Sequence, residues 1–313
     1  MDGSFCNKLC NTKELQYESC TNYREGKIVL FMQCKKCDSN GSNSKIKVVF
    51  KMKEQLENRS NLGEFNSPKD DSVESMDQFI EYFSKMLNNS YWYKLAKDIS
   101  SVKDIMTFTW GWNIREYLTD STLPKDKALS VAAESIWALS EQHEYLFTRL
   151  FHDQKFVPKI YGTCGPAYFV EFTQTLRKYE YEFFSRLTQP WSERALLAIQ
   201  LIDLIVKLDN DLHLPLHLCD VKPDNFGMRD NWEVTLLDTD CSLFETDLMS
   251  QFNHSKCRSH DDCDFFDCRG YCDLKRKQCL RKRMNNNLQV NLKLAHSHVS
   301  FIFINLYTAS LIA

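Results

Sequence analysis

Alternation of apolar and polar positions first appears at Lys27-Ile28-Val29-Leu30-Phe31-Met32 and returns at Lys45-Ile46-Lys47-Val48-Val49-Phe50-Lys51-Met52-Lys53. The turn formers Asp38-Ser39-Asn40-Gly41-Ser42-Asn43 lie between these runs, which predicts a β-hairpin. A polar connection over 56–75 precedes two helical patterns, Met76 to Leu87 and Ser90 to Ile99. A third helix is predicted from Leu129 to Phe151, with Ala133, Ile136, Trp137, Leu139, Leu146 and Leu150 apolar. Two short strands follow, Lys159-Ile160-Tyr161 and Ala167 to Phe172. A long amphipathic helix is then expected from Ser192 to Leu208, with Ser192 as N-cap and Leu196, Ile199, Ile202 and Ile205 along one face. Beyond it lie a polar loop, two short strands around a turn at Asp230-Asn231, and a cysteine-rich segment. There is no internal repeat and no low-complexity stretch.

The composition, 43% hydrophobic and 26% charged, is that of a globular chain, which argues against disorder, collagen and coiled coil. Lys+Arg 39 against Asp+Glu 42 gives a formal charge of -3 and no electrostatic reason to expect nucleic acid as a partner. Cysteine changes the picture. Ten of 13 cysteines fall in two clusters, Cys6, Cys10, Cys20, Cys34 and Cys37, then Cys257, Cys263, Cys268, Cys272 and Cys279; Cys164, Cys219 and Cys241 lie between. Disulfides explain such clusters best. Zinc would need paired Cys-x-x-Cys knuckles, and only Cys34/Cys37 has that spacing. Sequons at Asn40, Asn58, Asn88 and Asn253 suit an oxidising, glycosylating compartment. Met1-Asp2-Gly3-Ser4 offers no signal sequence, so the chain is expected to be an incomplete or differently spliced form. The uncharged run Val299 to Ala313 reaches about 22 Å as a helix, short of the roughly 30 Å hydrocarbon core, and reads as a buried element or an aberrant tail.

The chemistry concentrates in Leu218-Cys219-Asp220-Val221-Lys222-Pro223-Asp224-Asn225-Phe226, an Asp-x-Lys-x-x-Asn series. Phosphoryl transfer needs a carboxylate to take the acceptor's proton, a cation near the γ-phosphate and an oxygen ligand for a metal. Asp220, Lys222 and Asn225 supply these in order, and the hairpin after them returns a second acid, Asp238, as metal ligand, with Asp240 as a further candidate. Read without that hairpin, the same loop could be a polar connection with Asp220 a turn former and Asp238 a strand-end cap.

At these residues the sequence resembles a protein kinase. Leu218 to Asn225 stands where the His-Arg-Asp catalytic loop belongs, and Leu236-Leu237-Asp238-Thr239-Asp240 stands where Asp-Phe-Gly belongs. Val48-Val49-Phe50-Lys51 is similar to the Val-Ala-Ile-Lys strand, which implies Lys51 on the α/β-phosphates, with Lys47 and Lys53 as rivals. Glu144 is its implied ion-pair partner, with Glu134 and Glu141 as rivals, and Phe169 to Phe172, including Glu171, resembles the adenine hinge. No Gly-x-Gly-x-x-Gly occurs, Leu218 and Cys219 replace His and Arg, and no Ala-Pro-Glu follows. Switching by activation-loop phosphorylation is therefore not expected.

The segments CDVKPDNF, LLDTDCSLFE, CRSHDDCDFFDCRGYCDLKRKQC and RMNNNLQV together resemble the divergent protein kinase domain 1 family, most closely its C subtype. These are membrane-anchored proteins of the secretory pathway with a lumenal kinase-like domain. The resemblance implies an α+β, bilobal protein-kinase-like fold with disulfide-rich N-terminal and C-terminal segments and a short or truncated C-lobe. Its parts would be a cysteine-rich start of the N-lobe (1–55), the rest of the N-lobe with a helical insertion and hinge (56–172), a C-lobe (173–290) and a divergent tail (291–313). The implied cofactors are ATP and Mg²⁺ or Mn²⁺. The implied partner is a protein or glycan acceptor in the endoplasmic reticulum or Golgi lumen, with the membrane reached through an anchor missing from this chain. Calcium is not expected: Ser121, Leu123, Lys125 and Ala132 stand where an EF-hand-like loop before Trp137-Ala138-Leu139 would need its oxygen ligands. Trp110, Trp112 and Tyr117 are expected in the core. Two other functions fit: a pseudokinase acting as a disulfide-stabilised interaction module, and a zinc-binding adaptor.

Overall fold

The structure, a computed structural model, describes residues 4–22, 26–35, 37, 45–53, 102–178, 191–212, 214–252 and 256–291. The expected turn at 38–43, the helices at 76–87 and 90–99, the four sequons and the tail at 299–313 lie outside the described residues. The chain divides into two compact units, Met1–Gln154 with Pro158–Phe172, and Lys155–Val157 with Thr173–Ala313. Among the described residues, no helix is long and apolar enough to cross a membrane.

The first unit is built on a five-stranded antiparallel sheet. Its strands are β1 (Leu15–Asn22), β2 (Lys27–Lys35), β3 (Lys45–Lys53), β4 (Ile160–Cys164) and β5 (Ala167–Glu171), in the order β1-β2-β3-β5-β4. The expected hairpin is β2 with β3, in continuous register from Lys27 opposite Lys53 to Lys35 opposite Lys45. Strand residues alternate between faces, and here both faces of the central strands are buried. Val48 and Phe169 point to a cluster with Phe5, Leu15, Met32 and Cys34. Val49, Tyr168 and Val170 point to the other face, covered by helices α1 (Val102–Trp110), α2 (Ile114–Asp120), α3 (Lys125–Ser140) and α4 (His143–Leu150). Trp110, Trp112 and Tyr117 pack together in that cover, with the Trp110 and Tyr117 rings 4.8 Å apart and edge to face.

Two expectations for this unit are corrected. Strand β1 was not foreseen, because as an edge strand it exposes most of its side chains, Tyr17 at 63%, and so carries no apolar alternation. The single helix over 129–151 is two helices. Buried Gln142, in extended backbone, separates α3 from α4; its Nε2 donates to Ala138 O (3.0 Å) and Pro166 O (2.7 Å), and its Oε1 accepts from Lys53 N (3.0 Å). One amide thus closes the end of α3 and ties it to the sheet.

In the second unit, helix α5 (Trp191–Asn210) takes Ser192 inside its first turn instead of at the cap. Its buried face is Leu197, Leu201, Leu204, Ile205 and Leu208, while Ile199 is 53% exposed. A helix apolar on most sides does not declare its inner face by period alone. Strands β6 (Gln174–Thr175), β8 (Phe226–Met228) and β9 (Val234–Leu236) form one small sheet, β7 (Leu216–Leu218) pairs with β10 (Ser242–Phe244), and β11 (Gly270–Asp273) pairs with β12 (Gln278–Arg283). Helix α6 (Glu245–Phe252) follows β10. Gly227 in β8 is a true close approach, since a Cβ there would collide with Thr173 Oγ1 and press on Thr235.

Five disulfides form: Cys6–Cys164, Cys34–Cys37, Cys219–Cys268, Cys257–Cys272 and Cys263–Cys279. The clusters are therefore not self-contained staples, because Cys6 and Cys268 each reach a cysteine from the middle of the chain. The Cys-x-x-Cys pair is a disulfide, and Cys257, Cys263 and Cys279, which lie close enough to share a metal, are bonded as well.

Peptide mapping without reductant should recover these five pairs and alkylate exposed Cys10; alkylation of all ten bonded cysteines would overturn the pairing. Replacing Cys219 and Cys268 together by Ala should lower the free energy of unfolding in denaturant by about 2–4 kcal/mol, the usual contribution of a bond closing a loop of this size.

Candidate functional site

In the first unit, β3 places Lys51 on the face covered by α4, where its side chain is buried and pairs with the buried carboxylate of Glu144. The register that sets Lys51 opposite Tyr168 also delivers the Tyr168 hydroxyl, which donates to Glu144 Oε1 at 3.0 Å. A second ammonium, Lys27 at the start of β2, pairs with Glu144 Oε2. Nothing in the sequence singles out Lys27, since its diagonal position relative to Lys51 depends on the strand register. The rivals are elsewhere: Lys47 pairs with Glu18 at 3.2 Å, and Lys53, Glu134 and Glu141 are exposed.

Burial would push the Glu144 carboxyl up, but Lys51 and Lys27, by charge and by hydrogen bond, overcome it and hold it at about 2. Glu171, at the end of β5, accepts from Lys159 N through its carboxylate (3.2 Å), and its own N–H donates to Lys159 O (2.8 Å). The chain passes into the second unit just after it, between Phe172 and Thr173.

In the second unit, Asp220, Lys222 and Asn225 form one network. Asp220 Oδ2 accepts from Lys222 Nζ at 2.7 Å and from Asn225 Nδ2 at 2.9 Å. The same Asn225 amide donates to Asp220 O at 2.9 Å, so both of its protons face Asp220 and its oxygen is the atom available to a cation. The single 3₁₀ turn Pro223–Asn225 makes this possible by folding Asn225 back under the loop, with Asn225 N donating to Lys222 O (3.0 Å). The hydrogen bond to Asp220, opposed by burial and aided by the charges of Asp220, Asp238 and Asp224, pushes the Lys222 ammonium up.

After β9, Leu237 N donates to Asn225 O at 2.8 Å, which brings the return strand beside the loop; half-buried Asp238 follows, and its Oδ1 accepts from Asp240 N at 3.2 Å. Asp240 is exposed. The Cys241 thiol is pushed up to about 11 by burial and then by Asp220, Asp238 and Asp240, which keeps it protonated and slow to react at neutral pH.

Three supports of this loop were not foreseen. The Cys219–Cys268 bond joins it to the cysteine-rich segment. Asp267, next to that cysteine, accepts from Val221 N through Oδ2 (2.9 Å) and donates its own N–H to Cys219 O (2.7 Å). Buried Asn287 holds β7 from the side, accepting from Leu218 N (2.9 Å) and donating to Leu216 O (2.6 Å). Asp267 is one of several acids in its segment and Asn287 one of three consecutive asparagines, so neither stood out in the sequence.

A buried carboxylate paired with strand lysines, a loop Asp-Lys-Asn network and a return hairpin with a second acid are the parts of a kinase-like domain. Residues 136–298 match the family model described as the protein-kinase domain of FAM69, and the chain belongs to that family. The match spans Glu144, the loop around Asp220 and the C-terminal cysteines, and Lys51 precedes it. It bears out the divergent kinase-like family that the sequence resembles and does not single out a subtype.

Glu144 makes a stability contribution with a defined sign. Its folded pKa lies below the unfolded value of 4.5, so the contribution is complete above about 4.5 and is lost as pH falls toward about 2. A difference of that size corresponds to on the order of 3 kcal/mol. Glu144→Gln should destabilise the protein at neutral pH by about 3–5 kcal/mol, because two ammoniums lose their counter-charge, and should flatten the acid limb between pH 4.5 and 2. Parallel acid limbs in wild type and variant would refute the assignment.

Proposed function

We propose that this protein is an ATP-dependent phosphotransferase that moves the γ-phosphoryl group to a hydroxyl of a protein or glycan in the lumen of the endoplasmic reticulum or Golgi. The observation that carries the proposal is the shared carboxylate of Asp220, which holds Lys222 and Asn225 in one loop.

In this reading Asp220 orients the acceptor hydroxyl and takes its proton while the new oxygen–phosphorus bond forms and the bond to the ADP oxygen breaks. Lys222 neutralises charge on the transferring group. Lys51, oriented by Glu144, serves the α/β-phosphates, and the backbone around Glu171 serves adenine. The oxygen donors Asn225 and Asp238, with Asp240 next to them, suit a hard cation such as Mg²⁺ or Mn²⁺. When bound, that ion would neutralise phosphate charge. The five disulfides support an oxidising compartment, and attachment of the full-length protein to the membrane belongs to the same proposal.

One observation favours a second reading, a pseudokinase that serves as an interaction module. The stretch of sequence between β1 and β2, where the family's phosphate-covering glycine loop belongs, has Gly26 as its only glycine.

A thermal-shift titration with ATP and Mg²⁺ or Mn²⁺ separates the two. A phosphotransferase should be stabilised by the pair, Asp238→Ala should abolish the metal dependence, and Asp220→Ala should keep nucleotide binding while lowering transfer by 100-fold or more. Absence of stabilisation in the wild type would decide for the pseudokinase.

A further inference from the structure

The turn that fastens the cysteine-rich segment to the Asp220 loop holds a residue whose conformation local packing does not account for. Phe265 and Cys268 bond to each other through both backbone groups, Phe265 N donating to Cys268 O (2.8 Å) and Cys268 N to Phe265 O (2.9 Å), which closes a two-residue turn over Phe266 and Asp267. Phe266, the first of the two, has φ +51°. A left-handed φ at that position of such a turn favours glycine and is a steric outlier for a bulky side chain. The ring is also 65% exposed, so its burial offsets little of the strain.

The surroundings nevertheless fix this residue in place. The Cys219–Cys268 bond and the two contacts of Asp267, with Val221 N (2.9 Å) and Cys219 O (2.7 Å), fasten the turn to the residues on either side of Asp220. Asn285 Nδ2 donates to Asp267 O at 2.7 Å, and the Phe265 and Phe266 rings meet edge to face with centroids 5.0 Å apart. Backbone strain that the rest of the structure over-determines belongs with function, and an exposed aromatic ring held rigid is suited to contact with another molecule.

A phenyl ring carries no hydrogen-bonding atom, so it selects an apolar group. The exposed charges flanking it in the chain are Asp261, Asp262 and Asp264 on one side and Arg269 on the other, a net acidic setting that favours a basic neighbour beside that group and disfavours an acidic glycan. An apolar side chain next to a basic one is a feature of a polypeptide.

We infer that Phe266 is a specificity-determining contact for the acceptor, receiving an apolar side chain of a polypeptide segment whose Ser, Thr or Tyr hydroxyl is presented to Asp220. Phe266 has this role only within the phosphotransferase reading, whose acceptor it narrows from protein or glycan to protein.

Labelling of a degenerate peptide library, fixed one position at a time around a central Ser, Thr or Tyr, tests this with ATP and Mn²⁺, beside a thermal shift with the same pair. The wild type should prefer an aliphatic or aromatic residue at one flanking position by about tenfold, the discrimination an apolar contact supplies. Phe266→Gly, which relieves the left-handed φ, should melt at the wild-type temperature or a few degrees higher, keep the ATP-dependent shift and lose the preference. Phe266→Asn, which also tolerates that backbone, should behave in the same way, and Phe266→Trp should keep the preference. No flanking preference in the wild type, a preference unchanged in Phe266→Gly and Phe266→Asn, or an ATP-stabilised wild type that labels neutral methyl glycosides or nothing in place of peptides would overturn the inference and leave phosphotransfer standing. A wild type that ATP does not stabilise would remove both.

Discussion

Glu144 is a carboxylate inside a protein core, and the first unit is arranged around the need to neutralise it. An unpaired buried charge costs several kcal/mol, so Lys51 from β3, Lys27 from β2 and the Tyr168 hydroxyl from β5 all converge on it. Three strands must hold their register for this to happen, and one helix must present the carboxylate. That last demand accounts for the break at Gln142: in an uninterrupted helix, the direction of Glu144 would be fixed by that of Ala138 and Leu139, whose side chains are committed to the core. Breaking the helix lets α4 aim independently, and the Gln142 side chain satisfies the Ala138 carbonyl that the break would otherwise orphan, while also holding Pro166 O in the turn between β4 and β5.

The second unit meets a different constraint. Its loop must keep a carboxylate, an ammonium and an amide in contact while remaining accessible, so the fixing groups act on the backbone from behind. Asp267 holds the segment at Val221 and Cys219, Asn287 holds the strand that enters it, and Leu237 closes it against the return hairpin. Asn225 then needs no packing partner to be oriented, because both of its amide protons already point at Asp220.

The parts legible in the sequence were those set by local pattern. The β2–β3 hairpin, the Asp-x-Lys-x-x-Asn loop and the hairpin leading to Asp238 each depend on neighbours within a few residues. Lys51 and Glu144 could be picked out only by their order relative to that loop, and what separates them from Lys47, Lys53, Glu134 and Glu141 is burial, which spacing does not reveal. Lys27, Asp267 and Asn287 act through register or through contacts with segments 46 or more positions away in the case of Val221 and Leu218. Edge strand β1 and the inner face of α5 were illegible for a related reason: one has almost no apolar alternation, and the other is apolar on nearly every side.

Cys219 links the loop to the redox state of its surroundings. It stands where the kinase pattern has an arginine, a residue that would hold its surroundings by charge and hydrogen bonds. Here the same position is held by a covalent bond to Cys268, and the adjacent Asp267 makes its two backbone contacts from the far side of that bond. A hydrogen bond contributes about 1 kcal/mol and can exchange with water, whereas the disulfide closes a loop whose ends are 49 residues apart and cannot open without reduction. The loop's position therefore follows the redox state of its surroundings more than any added charge. Disulfides persist where conditions are oxidising, so the five bonds that stabilise the two units and the geometry of the Asp220 network rest on one and the same condition.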